Sequence, residues 1–98
     1  MYRGRPRKLR RVVFMPRADY FKPRGIPLSS LKITTLSPDE VESLRLIDVE
    51  GLDQQGAALK MAVSRITVQR VYKSARRKVA DAIINAKAIK IEKDNIVG

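Results

Sequence analysis

Residues 54–73 constrain the fold more than any other segment, because their apolar positions recur at the spacing of two helices joined by a tight turn. Ser64 follows the predicted turn and is a favourable N-cap for the second helix. Ala58 is small enough for two helices to cross closely. The pattern buries Ala57, Met61, Val63, Val68 and Val71. We therefore predict a helix-turn-helix in this segment.

The opposite side of the second predicted helix is basic. Residues 54–80 contain seven Lys or Arg residues and no acid. Side chains of this kind can hydrogen-bond base edges in the major groove of duplex DNA, and long cationic ones can hold phosphates. We predict base-edge contacts from Ser64, Arg65, Ile66, Thr67, Gln69 and Arg70, and phosphate contacts from Lys60, Lys73, Arg76 and Arg77.

Two features leave other interpretations open. An ordinary helical hairpin in a small core has the same apolar spacing, and the run Arg76, Arg77 and Lys78 could equally be a solvated helix face.

Ala62 occupies the turn position where many such units have Gly, because the backbone there is often left-handed. An alanine in that conformation costs about 1 kcal/mol.

A basic arm precedes the predicted domain. Its sequence Arg-Gly-Arg-Pro-Arg-Lys resembles the AT-hook, in which Gly allows a close approach to a narrow A·T-rich minor groove and Pro keeps the chain extended. A plain basic tail that binds phosphate without preference is the alternative. The residues of this predicted minor-groove arm are Arg3, Gly4, Arg5, Pro6, Arg7 and Lys8.

Charge and composition narrow the classes of function. The net charge of +11 favours a polyanionic partner. The chain has no Cys and no His, which removes disulfides, Cys/His zinc sites and a Ser-His or Cys-His nucleophile, so we expect neither a metal, a cofactor nor an enzyme. No apolar run approaches the roughly 20 residues of a membrane span. We expect a cytoplasmic, nucleoid-associated protein.

The coarse organisation has three parts: a disordered basic arm at residues 1–11, an extended or loop segment at 12–36 that packs on the core, and the DNA-binding domain with its C-terminal extension at 37–98. The fold is predicted to be mainly α, a three-helix core of the sigma region four or winged-helix type with a long last helix. That helix should run from Ser64 to about Ala86. A small β element at residues 88–92 could pair with residues 12–15.

The first helix of the predicted domain begins at Ser37-Pro38-Asp39-Glu40, a run typical of a capping box with Pro in the first turn, and Gly51 is placed to end it. We expect Val41, Leu44 and either Ile47 or Asp48 to mark one face of this helix, with Leu46 flanking that face. Residues 37–53 contain six acids, which we interpret as a solvated face of this amphipathic helix. Tyr20 and Phe21 are expected to anchor the preceding loop.

The chain resembles uncharacterised protein family 0251, also called domain of unknown function 134, whose members are predicted DNA-binding proteins of bacteria and archaea. The resemblance rests on Arg10-Arg11-Val12-Val13-Phe14, Tyr20-Phe21-Lys22-Pro23, Gly25-Ile26-Pro27-Leu28, Glu42-Ser43-Leu44-Arg45-Leu46, and Ser74-Ala75-Arg76-Arg77-Lys78-Val79-Ala80. The family's helix-turn-helix is similar to region four of bacterial sigma factors. This similarity implies base-edge positions for Arg65, Gln69 and Arg70.

These observations predict a sequence-preferring binder of double-stranded DNA that acts in transcriptional regulation. An RNA-binding or ribosome-associated basic protein fits the charge equally well, but few aromatic residues are placed for stacking on bases. A module that docks on RNA polymerase through the acidic segment 37–50 is a third interpretation. A homodimer is compatible with the length of the last helix.

Overall fold

Three α-helices and a small sheet make up residues 19–93, the part of the chain that the computed structural model describes. The helices are α1 (Pro38–Leu44), α2 (Gln54–Met61) and α3 (Arg65–Asn85), and the strands are β1 (Tyr20–Phe21), β2 (Ile33–Leu36) and β3 (Ala88–Ile91). A 3₁₀ turn spans Leu28–Ser30, and a π-helical turn, Arg45–Val49, follows α1 directly. The predicted mainly α fold with a small β element is confirmed, whereas the predicted arm and the candidate strand at 12–15 lie outside the described residues.

Side-chain caps set the first residue of each helix, as predicted for α1 and α3. At α1 the Ser37 hydroxyl accepts from the Glu40 N–H at 3.2 Å, and the Glu40 carboxylate accepts from the Ser37 N–H at 2.9 Å, which completes a capping box. Asp53 caps α2 by accepting from the Gly56 N–H at 2.7 Å, and Ser64 caps α3 by accepting from the Thr67 N–H at 3.1 Å. These bonds satisfy N–H groups that the helices themselves leave without partners.

Left-handed alanines end both α2 and α3. Ala62 has φ 58° and ψ 44°, and Ala86 has φ 54° and ψ 51°. Such a residue lets its own N–H bond back to a carbonyl of the last turn, as Ala62 does to Ala58 and Leu59. The strain expected at Ala62 is therefore present, and a second instance occurs at Ala86.

The acidic segment departs from its predicted geometry. The α-helix ends at Leu44 and continues as the π-helical turn, in which the Glu50 N–H donates to the Arg45 carbonyl at 2.9 Å. Leu46, predicted to flank the apolar face, is fully buried, and so is Ser43. Val41, Leu44 and Ile47 of the predicted face are partly buried, and Ile47 packs against the apolar cluster around Leu46. The burial of the acids Glu40 and Glu42 in the same segment was not predicted.

The sheet has the strand order β1-β3-β2. β3 pairs antiparallel with β1 and parallel with β2, so the strand that follows α3 is the central one. The predicted strand at 88–92 is confirmed, and its partners in the described residues are Tyr20–Phe21 and Ile33–Leu36. Tyr20 and Phe21 do not anchor a loop as expected: they form an edge strand and are 37% and 58% exposed.

An apolar cluster and further buried residues along α3 and the sheet form the core. The cluster consists of Leu46, Ala57, Ala58, Met61 and Val68 and joins the π-helical turn, α2 and the start of α3. Farther along α3, Ala75 and Ala82 are buried, as are Leu36, Ala88 and Ile91 of the sheet. The part of α3 beyond a minimal helix-turn-helix thus packs against α1 and the sheet.

Candidate nucleic-acid interface

The predicted helix-turn-helix is present as α2, a three-residue turn and α3. Ala57 and Ala58 are 0% and 2% exposed, so the two helices meet through residues that are small enough for close approach. The Val63 N–H donates to the Ala58 carbonyl at 3.1 Å and fixes the direction in which the chain leaves α2. The predicted burial of Ala57, Met61 and Val68 is confirmed, and Val63 and Val71 are partly buried.

The first turns of α3 present most of the predicted reading side chains to solvent. Arg65, Ile66, Gln69 and Arg70 are all exposed, and Ile66 is 71% exposed although it is apolar. The Arg65 guanidinium lies 3.5 Å from the Gln54 side-chain oxygen at the start of α2. These side chains are therefore available to a ligand that approaches the N-terminal end of α3.

Ser64 and Thr67 are occupied by the start of the helix. The Ser64 hydroxyl caps α3 and also lies 2.9 Å from the Thr67 hydroxyl. Thr67 is partly buried, unlike the other predicted base-edge residues of α3. In the described part of the chain these two hydroxyls stabilise the N-terminus of α3. Contacts of Ser64 and Thr67 with bases stay predictions.

Arg70 lies at the boundary between two surfaces. It is exposed on α3, and it also borders an open polar cavity of about 310 Å³ between α1 and α3. The cavity is lined by Ser37, Asp39, Glu40, Arg70, Val71, Ser74 and Lys78. Two cations, Arg70 and Lys78, and two acids, Asp39 and Glu40, line this space, so it carries little net charge.

The predicted phosphate-binding residues fall into two groups. Lys60, Lys73 and Arg77 are exposed. Arg76 is 63% exposed but already interacts with its surroundings: its Nε lies 3.9 Å from an Asp48 carboxylate oxygen and its guanidinium lies 5.5 Å from the Tyr72 ring centre. A phosphate would therefore compete with Asp48 for Arg76.

Tyr72 and Asp48 are structural partners that the sequence reasoning missed. The Tyr72 hydroxyl donates to Asp48 at 2.6 Å, and this hydrogen bond, supported by the negative charge, raises the pKa of Tyr72. The contact ties the π-helical turn to the third turn of α3, across 24 positions of sequence. Nothing in the local pattern around either residue indicated it.

Glu40 is the centre of a second unpredicted network. Its carboxylate accepts from the Ser74 hydroxyl at 2.6 Å and from the Lys78 ammonium at 3.0 Å, in addition to closing the α1 capping box. Burial acts to raise the pKa of Glu40, but the hydrogen bonds from Ser74, the Ser37 backbone and Lys78 outweigh it and hold the pKa below its ordinary value. Lys78 also donates to the Thr35 carbonyl of β2 at 2.9 Å. Lys78 is thus bonded within the protein, whereas Arg76 and Arg77 of the same run are exposed.

Glu42, which is 2% exposed, makes a two-pronged ion pair with Arg45. The guanidinium donates to the two carboxylate oxygens at 3.1 and 2.9 Å and reaches Glu50 at 2.7 Å. The bonds to Glu42 raise the pKa of Arg45. This clamp spans the π-helical turn, and its three-residue spacing from Glu42 to Arg45 is a signal that the sequence does contain.

The solvated face expected for the acids of residues 37–53 is present only in part, because Asp48, Glu50 and Asp53 are exposed whereas Glu40 and Glu42 are buried. Glu40 accepts a hydrogen bond from Ser74, Glu42 is ion-paired with Arg45, and Asp48 accepts a hydrogen bond from Tyr72 of α3. The outer side of α3, from Arg65 to Ala80, keeps its cations without an intervening acid. Because the acids of residues 37–53 lie outside this side of α3, its exposed surface is basic.

These features define a small, mainly helical domain built around a helix-turn-helix, with a three-stranded sheet at its other side. The chain belongs to the family described as "Protein of unknown function DUF134", whose family model matches residues 1–97. The expected family membership is confirmed. No solved structure matches the chain.

Similar proteins occur in both bacteria and an archaeon. The UPF0251 protein of Desulforudis audaxviator is 51% identical over 92 residues, that of Prosthecochloris aestuarii is 57% identical over 89, and that of Methanosarcina acetivorans is 48% identical over 95. The matches cover 94%, 91% and 97% of this chain, and 60%, 57% and 85% of the respective relatives. Within residues 19–93, no helix combines the length and apolar character needed to cross a membrane.

Proposed function

We propose that this protein binds double-stranded DNA with a preference for sequence and acts in transcriptional regulation. In this proposal the N-terminal turns of α3 enter the major groove, Arg65 and Arg70 bond guanine, and Gln69 bonds adenine. Ile66 contacts a thymine methyl group. Lys60, Lys73, Arg76 and Arg77 hold phosphates, and the basic arm at residues 1–11 follows the adjacent minor groove.

The observation that carries this proposal is the exposure of the reading side chains on an acid-free helix surface. Arg65, Gln69 and Arg70 are exposed at the start of a helix that is held rigidly by its N-cap and by the α2 crossing. Side chains on a rigid element lose less freedom on binding than side chains on a loop. An ordinary hairpin would also expose polar side chains, but it would not require that acids be absent from the exposed side, as they are between Arg65 and Ala80.

Electrostatics support the same partner. The chain has a net charge of +11, and the buried acids of α1 do not neutralise the outer surface of α3. The phosphate backbone of duplex DNA is a continuous line of negative charge that such a surface attracts. The affinity should fall steeply as the salt concentration rises. The acids that remain partly exposed near α2, Asp48 and Glu50, are bonded to Tyr72 and Arg45, which reduces the surface available for docking on polymerase.

Selection of bound fragments from a pool of random duplexes, at a stated salt concentration, tests the proposal. We expect enrichment of a short motif that the triple variant Arg65→Ala/Gln69→Ala/Arg70→Ala no longer selects. Competition with single-stranded RNA of the same length distinguishes the RNA-binding alternative. Absence of any enriched motif, or binding that RNA displaces more effectively than duplex DNA, would contradict the proposal.

A further inference from the structure

The cations predicted to hold phosphates differ in their surroundings. Among the residues that the structure describes, Arg76 is the one of these cations that makes an ion pair, and its partner is Asp48. The Arg76 Nε lies 3.9 Å from one carboxylate oxygen, and the other oxygen accepts from the Tyr72 hydroxyl at 2.6 Å. The guanidinium also lies over the Tyr72 ring, 5.5 Å from its centre. One acid of the π-helical turn therefore engages two side chains of α3.

The π-helical turn fixes the position of Asp48. The Glu50 N–H donates to the Arg45 carbonyl at 2.9 Å and closes the turn. The Arg45 guanidinium adds bonds to Glu42 and Glu50 across the same turn. π-helical turns of this kind occur frequently at functional sites. Asp48 is thus placed beside α3 by bonds other than its own.

Arg76 lies where a phosphate is expected when α3 is in the groove. It follows Arg65 by 11 positions, which corresponds to about 17 Å along a helix. The major groove is only about 12 Å wide. When the first turns of α3 contact base edges, Arg76 is therefore at the margin of the groove, beside the phosphates, and its side chain is 63% exposed.

A phosphate that binds Arg76 meets the negative charge of Asp48. If the guanidinium keeps its contact with Asp48, the phosphate and the carboxylate lie close together and repel each other. If the guanidinium leaves Asp48, the ion pair is lost. In both cases the charge of Asp48 weakens the contact with phosphate. The Tyr72 ring, in contrast, orients the guanidinium without adding a negative charge.

We propose that Asp48 is an internal competitor of the DNA phosphates for Arg76, and that it lowers the affinity for duplex DNA without changing the preference for sequence. Phosphate contacts carry no sequence information, so a change in one of them alters the affinity for all duplexes alike. The role of Arg76 in DNA binding rests on the proposed function.

Asp48→Asn tests the competition, because asparagine lacks the charge and keeps an oxygen that can accept from Tyr72. We expect binding to become about two- to fivefold tighter, the range of an exposed ion pair, and equally so on the selected motif and on an unrelated duplex. The slope of log affinity against log salt should become steeper by up to about 0.9, the value for one neutralised phosphate.

Two controls separate this effect from the change in net charge. Glu92→Gln removes one negative charge at an exposed position after β3, outside the helix-turn-helix, and should raise affinity less than Asp48→Asn. In an Arg76→Gln background, Asp48→Asn should gain no more than Glu92→Gln does. Equal gains from Asp48→Asn and Glu92→Gln, a gain confined to the selected motif, or a gain that persists in Arg76→Gln would overturn the competition for Arg76.

Titration with tripolyphosphate tests the competition without DNA. In isotope-labelled protein the nuclear magnetic resonance signal of the Arg76 Nε–H should shift on binding. Asp48→Asn should reach half of this shift at a concentration about two- to fivefold lower than the wild-type chain. If the wild-type chain binds no duplex, the proposed function fails, and this titration still decides whether Asp48 competes for Arg76. Equal half-points in the two proteins, or no shift of the Arg76 signal, would refute the competition.

Discussion

Replacing Ala62 by Gly should stabilise the protein, because the turn of the helix-turn-helix forces an alanine into the left-handed region. At φ 58° and ψ 44° the Cβ of Ala62 crowds its own backbone, which costs about 1–2 kcal/mol. Glycine removes that strain, but it also gives the unfolded chain extra freedom worth about 0.4–1 kcal/mol. The exposed methyl of Ala62 contributes little packing. The net expectation is a gain of about 0.5–1 kcal/mol in the free energy of unfolding.

Thermal unfolding followed by circular dichroism measures this gain. For a domain of this size, about 1 kcal/mol corresponds to 4–8 °C, so Ala62→Gly should raise the melting temperature by about 2–8 °C. Ala80→Gly is the matched control, because it makes the same change at an exposed position inside α3. There the backbone is right-handed and glycine should lower stability by about 1 kcal/mol.

The two melting temperatures show whether the backbone at Ala62 is strained: Ala62→Gly should raise the melting temperature and Ala80→Gly should lower it. The increase in freedom of the unfolded chain is the same in both, so only the backbone conformation in the folded state separates them. If Ala62→Gly lowered the melting temperature as much as Ala80→Gly, Ala62 would carry no strain and the left-handed alanine would not limit stability.

Three further changes test the reading surface and the buried acid. Arg70→Ala should weaken DNA binding by ~1–3 kcal/mol and relax preference at one base position; an equal loss on all sequences would contradict a base contact. Arg76→Ala should lower the slope of log affinity against log salt by ~1 without changing preference, and an unchanged slope would argue against a phosphate contact. Glu40→Gln should cost about 1–3 kcal/mol at neutral pH, less than a fully buried pair because Lys78 is 38% exposed. The pKa of Glu40 in the folded protein lies below its ordinary value of 4.5, so the ionised carboxylate stabilises the fold fully above pH 4.5, and this stabilisation is lost as the pH falls through the folded pKa. In Glu40→Gln the free energy of unfolding should therefore depend less on pH in that range. An unchanged dependence on pH would exclude this role.

Features that depend on a few neighbouring residues were predictable from the sequence. The capping box at Ser37, the cap at Ser64 and the left-handed turn at Ala62 all depend on bonds within about four positions. The buried stripe of α3 reflects a period that one helix repeats many times. The exposure of Arg65 and Gln69 was predictable for the same reason, because both lie away from that stripe.

Features that depend on distant partners were not predictable in the same way. Glu40 is buried because Ser74 and Lys78, more than thirty positions later, supply hydrogen bonds that offset its burial. The π-helical turn begins after Leu44, and within it Leu46 is buried while Ile47 packs against the same apolar cluster. A single sequence contains no periodic signal for either event.

The place of β3 in the sheet has a consequence for how the chain acquires its structure during synthesis. Tyr20–Phe21 and Ile33–Leu36 leave the ribosome early, yet neither strand has a partner in the sheet until Ala88–Ile91 has also emerged. The helix-turn-helix can form by short-range contacts, whereas the sheet requires a ring of more than fifty residues to close. Released chains truncated before residue 88 should therefore show protease resistance around α2 and the beginning of α3, while the early strands are cleaved.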